Sequence, residues 1–254
     1  MLSEIFKLFW KTVERKDARR INSQTPPTEI EQFCDIQYID DGLWQHRLDV
    51  YSKSGKLSHR PVIIDIHGGG WMYGTKEINK NYCLVLAQND YVVVNINYRL
   101  APDFSVADQL RDCFFAFKWV STNIEKYGGD LNNVFVTGDS AGGFLAAYSA
   151  LLNSSEKLRK VFGVTESGLE FRACGLTSPV CFMNTHTFQD AYYSRVKGNE
   201  FSESTLRGFE NFDAVLNKGS MPPTFLVTSS GDAVGRLPTI CLLYTSPSPR
   251  DRSL

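Results

Sequence analysis

Unbroken runs of apolar residues, rather than alternating ones, set the pattern of this chain. Pro61–Ile66 (PVIIDI), Tyr91–Asn97 (YVVVNIN), Asn133–Thr137 (NVFVT), Ala173–Leu176 and Thr224–Thr228 (TFLVT) each read as a strand covered on both faces, as in a parallel sheet. Asp49–Tyr51, after Leu48, predicts a shorter strand. Between them, Val106, Leu110, Cys113, Phe114, Phe117, Val120 and Ile124 recur at helical spacing, and Gly128-Gly129 closes that helix. Ala141–Leu152 predicts another helix, whose small residues at the start let it lie close against a sheet. Strands alternating with helices over this length predict a doubly wound, mostly parallel α/β sheet in one domain spanning residues 1–240.

Two segments stand apart from that alternation. Residues 181–223 separate two predicted strands and hold one predicted helix, with Leu206, Phe209, Val215 and Leu216 on one face. A connection this long predicts a lid or an inserted cap. At the N-terminus, Leu2, Ile5, Phe6, Phe9 and Val13 fall on one helical face. That stripe predicts a helix packed on its own domain in preference to a membrane-surface anchor.

Composition narrows the partners. A formal net charge of −1 gives no electrostatic footprint for nucleic acid. No apolar run reaches the ~18 residues of a membrane span, and the N-terminus lacks the features of a secretory signal. Cysteines 34, 83, 113, 174, 181 and 241 include no CxxC pair and sit mostly in apolar segments, so they read as buried free thiols. A reducing, cytoplasmic location follows as the expectation. Aromatic residues make up 13% of the chain, which core burial accounts for before any apolar pocket does.

Two motifs carry candidate chemistry. Gly138-Asp139-Ser140-Ala141-Gly142 directly follows the strand NVFVT and opens the Ala/Gly-rich helix. A serine alcohol becomes a nucleophile when it is exposed, aligned with a base, and set beside donors for the developing oxyanion; a tight strand-to-helix turn flanked by small residues supplies that geometry. His67-Gly68-Gly69-Gly70-Trp71 directly follows the strand PVIIDI. Its three glycines leave backbone N–H groups open to a close-approaching anionic oxygen. His67, at the base of this loop and ahead of the serine, is expected to shape the loop rather than to act as base.

HGGGW at 67–71, NYRLAPD at 97–103 and GDSAGG at 138–143 together resemble the hormone-sensitive-lipase-like family of α/β-hydrolase esterases, over roughly residues 35–235. The resemblance implies an α/β-hydrolase sheet with a helical cap built from residues 1–30 and 181–223. It implies Ser140 as nucleophile, the N–H groups of Gly69, Gly70 and Ala141 as oxyanion hole, and Gly68 and Asp139 as scaffold. Asp232, in TFLVTSSGDAVG, would be the acid that orients the catalytic imidazole. The implied activity is hydrolysis of short-to-medium acyl esters, a small-molecule substrate class, through an acyl-enzyme and without cofactor or metal. An amidase or peptidase would use the same machinery, and a ligand-binding module that has lost its histidine would keep the same fold.

One departure is plain. The family's order places a histidine after the acid, yet His46, His59, His67 and His186 all precede Asp232. The tail RLPTICLLYTSPSPRDRSL, with prolines at 238, 247 and 249, is too short and too broken to supply a further helix, last strand and closing helix. Its run Cys241–Asp251 resembles a translated sequencing adapter, so residues 241–254 are expected to be a non-native tail; a natural short form with a disordered end is the alternative. The expectation is a hydrolase lacking its last elements and its catalytic histidine, and inactive as written.

Overall fold

A computed structural model describes residues 2–55, 59–181, 183, 190–203 and 206–229, with backbone alone at 2–5, 7, 202 and 203. Its frame is one seven-stranded sheet: β1 (Ile30–Gln37), β2 (Arg47–Lys53), β3 (Arg60–Ile66), β4 (Val92–Ile96), β5 (Gly129–Asp139), β6 (Phe171–Thr177) and β7 (Thr224–Val227). The spatial order is β1-β2-β4-β3-β5-β6-β7. β2 runs antiparallel to both its neighbours, and the remaining pairs from β4 to β7 are parallel. The predicted cause holds for β4, all five of whose positions are buried, but not for β7, an edge strand exposed at three of its four positions, Phe225 and Val227 among them.

Helices α1 (Leu2–Asn22), α2 (Lys80–Gln88), α3 (Val106–Asn123), α4 (Ser140–Ser154), α5 (Glu156–Phe162), α6 (Asp190–Glu203) and α7 (Phe212–Leu216) flank the sheet. On one face α2 closes a small cluster of Cys83, Leu84 and Ala87 with Tyr51 and Val93. On the other, α3 and α4 bury the main core, where Phe114, Phe117, Phe144 and Tyr148 are among the fully buried side chains. Every residue of α4 from Ala141 to Leu152 is buried, so this helix is apolar all round as a core helix must be. A capping box starts α3, with Ser105 and Asp108 exchanging side-chain and backbone bonds. Gly128, at φ +84, ends the 3-10 turn that follows α3 and turns the chain into β5.

Three expectations change. Residues 181–223 do not hold one helix: α6 comes first, Leu206 and Phe209 lie in a turn, and only Val215 and Leu216 belong to α7. Gly208, at φ +88, breaks the run, although all four side chains still pack on the core. Cys34 is exposed on the edge strand β1, whereas Cys83, Cys113, Cys174 and Cys181 are buried. Strand β1, α2 and α5 are additions to the elements read from periodicity.

Candidate active site

The sheet places the two motifs together. Chain order runs from β3 outward to β4 on one side and then returns to β5 on the other, so the loops leaving the carboxyl ends of β3 and β5 diverge and leave a crevice. Parallel register sets Ile66 opposite Gly138. The glycine loop after β3 and the serine turn after β5 therefore start side by side, and the Gly68 N–H donates to Asp139 Oδ1 at 3.0 Å, across 71 residues of sequence.

Ser140 sits where β5 becomes α4, at φ +51. A non-glycine residue in the left-handed region costs on the order of 1–2 kcal/mol, which surrounding structure must impose. The surrounding glycines explain how the turn is made. A Cβ on Gly142 would fall onto the carbonyls of Ile66 and His67, and one on Gly138 would meet the backbone of Gly142. The helix α4 thus begins pressed against the end of β3, with Ala141 buried in its first turn and the unpaired N–H groups of a helix start beside Ser140.

The loop 67–71 is held by its carbonyls. His67 Nδ1 lies 2.7 Å from the Gly68 carbonyl, which can only accept, so Nδ1 carries the proton. The Gly69 carbonyl accepts from the N–H groups of Met72 at 3.2 Å and Tyr73 at 3.0 Å. A trans peptide points its N–H opposite its C=O. These anchors therefore direct the N–H groups of Gly69 and Gly70 away from the imidazole and from the Met72–Tyr73 turn. Among the described residues neither N–H has a hydrogen-bond partner.

His67 itself is fully buried, and that burial pulls its pKa down to about 4 despite the bond to Gly68. It stacks on Tyr98 at a centroid distance of 4.4 Å, and Tyr98 donates to the His67 carbonyl at 2.8 Å. The NYRLAPD stretch emerges as the loop's support. Besides Tyr98, Asn97 Oδ1 accepts from Lys76 N, Arg99 grips the buried Asp112 through Nε and Nη2, and Ala101 N donates to the Trp71 carbonyl.

Beneath the loop lies a pair of carboxylates that periodicity does not reveal. Asn79 Nδ2 donates to both Asp65 Oδ2 and Asp139 Oδ1, at 2.9 Å each. Asn79 is the N-cap of α2 but makes no side-chain cap bond, because its amide serves these two acids instead. Burial raises the Asp65 carboxyl to about 7, with the charge of Asp139 adding to the rise and Asn79 opposing it.

A cavity of about 320 Å³ opens over Ser140. Gly68, Gly69, Gly70, Asn79 and Asp139 line it near the serine, and α1 supplies the facing wall through Trp10, Val13, Asp17 and Arg20. Trp10 stacks on Tyr73 at 5.3 Å, and Asp17 pairs with Arg20 at 3.2 Å. From α6, the Tyr192 hydroxyl reaches the Gly70 carbonyl at 2.5 Å. No motif marked Trp10 or Tyr192. Among the described residues no histidine lines this cavity: His67 is packed below the loop, His46 is held between Asp41 and Asp112, and His59 precedes β3. Asp232 and His186 lie outside the described residues, as does the tail 241–254. No group of residues suited to a metal ion and no helix long and apolar enough to cross a membrane occurs among the described residues.

A mostly parallel sheet with helices on both faces, and a serine at a strained strand-to-helix turn beside a triple-glycine loop at the switch point, define an α/β-hydrolase. The chain belongs to the BD-FAE family, whose model matches residues 48–189. Over 96% of its length it superposes on 78% of esterase B from Lactobacillus rhamnosis inhibited by a tributyrin phosphonate, with TM-score 0.88 and 30% identity. It is 28% identical over 201 residues to the isoprenylcysteine alpha-carbonyl methylesterase ICME of Arabidopsis thaliana, covering 74% of this chain and 46% of that one. It is 46% identical over 130 residues to arylacetamide deacetylase of Oryctolagus cuniculus, covering 49% and 32% of the two chains. The chain spans about half or less of the length of these two relatives.

Proposed function

We propose that this chain belongs to a serine carboxylic-ester hydrolase acting on short-to-medium acyl esters. Ser140 is the nucleophile in this reading, and the N–H groups of Gly69, Gly70 and Ala141 receive the oxyanion. One observation carries it: Ser140, at φ +51 on a strand-to-helix turn, shares a cavity with Gly69 and Gly70, whose carbonyls are already engaged and whose N–H groups are not. Donors fixed in advance cost no reorganisation when charge develops on the carbonyl oxygen, which is the larger part of acyl-transfer catalysis.

The reaction then runs in two halves. Ser140 Oγ attacks the ester carbonyl carbon while a histidine takes its proton, and the carbonyl oxygen becomes the oxyanion. Collapse expels the alcohol, protonated by the same histidine, and leaves an acyl-serine. Water repeats the sequence and frees the acid. Asp232 holds the imidazole in its productive tautomer. His67 is not that imidazole, being neutral, buried and committed to Gly68.

Amide hydrolysis is the second reading, favoured by the 46% identity to arylacetamide deacetylase over 130 residues. The test compares short-chain p-nitrophenyl esters with matched anilides, using the 254-residue chain, the full-length protein, and full-length Ser140→Ala. The full-length protein should hydrolyse the esters and Ser140→Ala should not. The 254-residue chain should fall by on the order of 10⁶ in kcat, the cost of removing a triad histidine. Full-length protein that folds and leaves both substrates intact would favour a binding module instead.

A further inference from the structure

Gly70, at φ +57, lies in the turn that the Gly69 carbonyl closes with the Met72 N–H. Its two flanking peptides are pinned from different directions. The Gly69–Gly70 peptide is held by Met72 and Tyr73 within the turn, through the Gly69 carbonyl. The Gly70–Trp71 peptide is held from outside, by the Tyr192 hydroxyl donating to the Gly70 carbonyl at 2.5 Å, across 122 residues of sequence.

Tyr192 is itself held in place on three sides. Its ring meets Phe6 of α1 edge-on at 5.0 Å, lies 6.5 Å from Trp10, and meets its neighbour Tyr193 edge-on at 5.9 Å. Burial holds its phenol well above the usual tyrosine range, so the hydroxyl remains a donor across the working pH range. Gly70 is what allows this approach, since a Cβ there would run into the Tyr192 hydroxyl and the Trp10 ring. The first half of α6, which carries Tyr192, is offset from the second by a break at Gly198, at φ +63. The second half is fastened separately, by the two-pronged contact of Arg111 with Glu200.

We infer that Tyr192 is a positioning residue for the oxyanion loop: by fixing the Gly70–Trp71 peptide it limits rotation at Gly70 and so keeps the adjoining Gly69–Gly70 peptide presenting its N–H to the tetrahedral intermediate. This rests on the proposed role of Ser140 and the glycine loop. The oxyanion's charge develops only in the transition state, so a residue acting through the loop that receives it changes kcat and leaves ground-state binding of the ester largely unchanged.

Tyr192→Phe keeps the ring against Phe6 and removes only the donor. In the full-length protein, kcat for p-nitrophenyl butyrate should fall about tenfold, the most one neutral hydrogen bond is worth when its loss falls wholly on the transition state, with KM within about twofold. Phosphonylation of Ser140 by a p-nitrophenyl alkyl phosphonate, followed by mass spectrometry, should slow by the same factor, and this reads the loop without turnover. A raised KM with unchanged kcat, or wild-type rates in both assays, overturns the inference while leaving the esterase reading intact. Turnover that survives Ser140→Ala overturns the reading and the inference together. A large drop in melting temperature for Tyr192→Phe, with phosphonylation of the remaining folded protein at the wild-type rate, also overturns it.

Discussion

Replacing Asp65 by asparagine removes an acid that the fold buries with no cation on it among the described residues. Asp65 sits in β3 with its Oδ2 on the Asn79 amide, and Asp139 takes the other hydrogen of that amide. An exposed aspartate loses its proton near pH 4, whereas burial holds that of Asp65 until about pH 7. The folded pKa is raised, so the favourable contribution of the neutral acid is complete below pH 4 and is lost as the pH climbs through 7. Three pKa units correspond to about 4 kcal/mol, with about 3 kcal/mol of it arising between pH 5 and pH 8. The substituted side chain keeps an acceptor for Asn79 and never ionises, so Asp65→Asn should gain on the wild type by that amount across the same window. At roughly 2–4 °C per kcal/mol for a chain of this size, the difference in melting temperature should widen by about 6–12 °C. Thermal or urea unfolding of both proteins at unit pH steps measures it, and titrations common to both cancel in the difference. A stability difference that is flat with pH, or that narrows as pH rises, would refute the assignment of Asp65 as a neutral acid under the loop.

Further outcomes follow from neighbouring contacts. The His67 imidazole should titrate near pH 4 by NMR and contribute no inflection to the rate profile above pH 6; its folded pKa is depressed, so the stability tied to it is present above about 6.5 and lost as the pH falls towards 4. Gly142→Ala should destabilise the protein by about 3 kcal/mol in chemical denaturation, because the new methyl is aimed at two backbone carbonyls that cannot move apart without separating α4 from β3. Lys76→Met should cost about 3–5 kcal/mol, since the buried Asp49 would lose its cation at 2.9 Å and keep, among the described residues, Tyr51 and the Asp35 N–H.

What the sequence reveals here follows from where the determinants are local. Strands β3 and β4 stand out because no position of either is exposed and their apolar runs are continuous, whereas β1 (IEQFCDIQ) is an edge with five successive exposed positions and leaves no such mark. The helix α2 lacks a recognisable start because its cap residue, Asn79, spends its side chain on Asp65 and Asp139. Within 181–223 the apolar spacing runs across the break at Gly208, where a helical reading cannot see that the chain turns. The serine turn and the glycine loop are legible since only small residues fit where Gly138 and Gly142 meet backbone. Tyr192 and Trp10 are not, since their roles arise from contacts with Gly70 made through the tertiary fold. Asp65 is a partial case: a single acid in the run PVIIDI is a visible anomaly, but its partner Asn79 carries no pattern.

The most direct test of the account is covalent. The full-length protein should be treated with a p-nitrophenyl alkyl phosphonate, whose tetrahedral adduct places an anionic oxygen where the oxyanion forms, and digested for mass spectrometry. The account predicts one adduct, on Ser140, forming in step with the loss of esterase activity and absent from Ser140→Ala. An adduct on another residue accompanying that loss, or full inhibition with Ser140 unmodified, would contradict it.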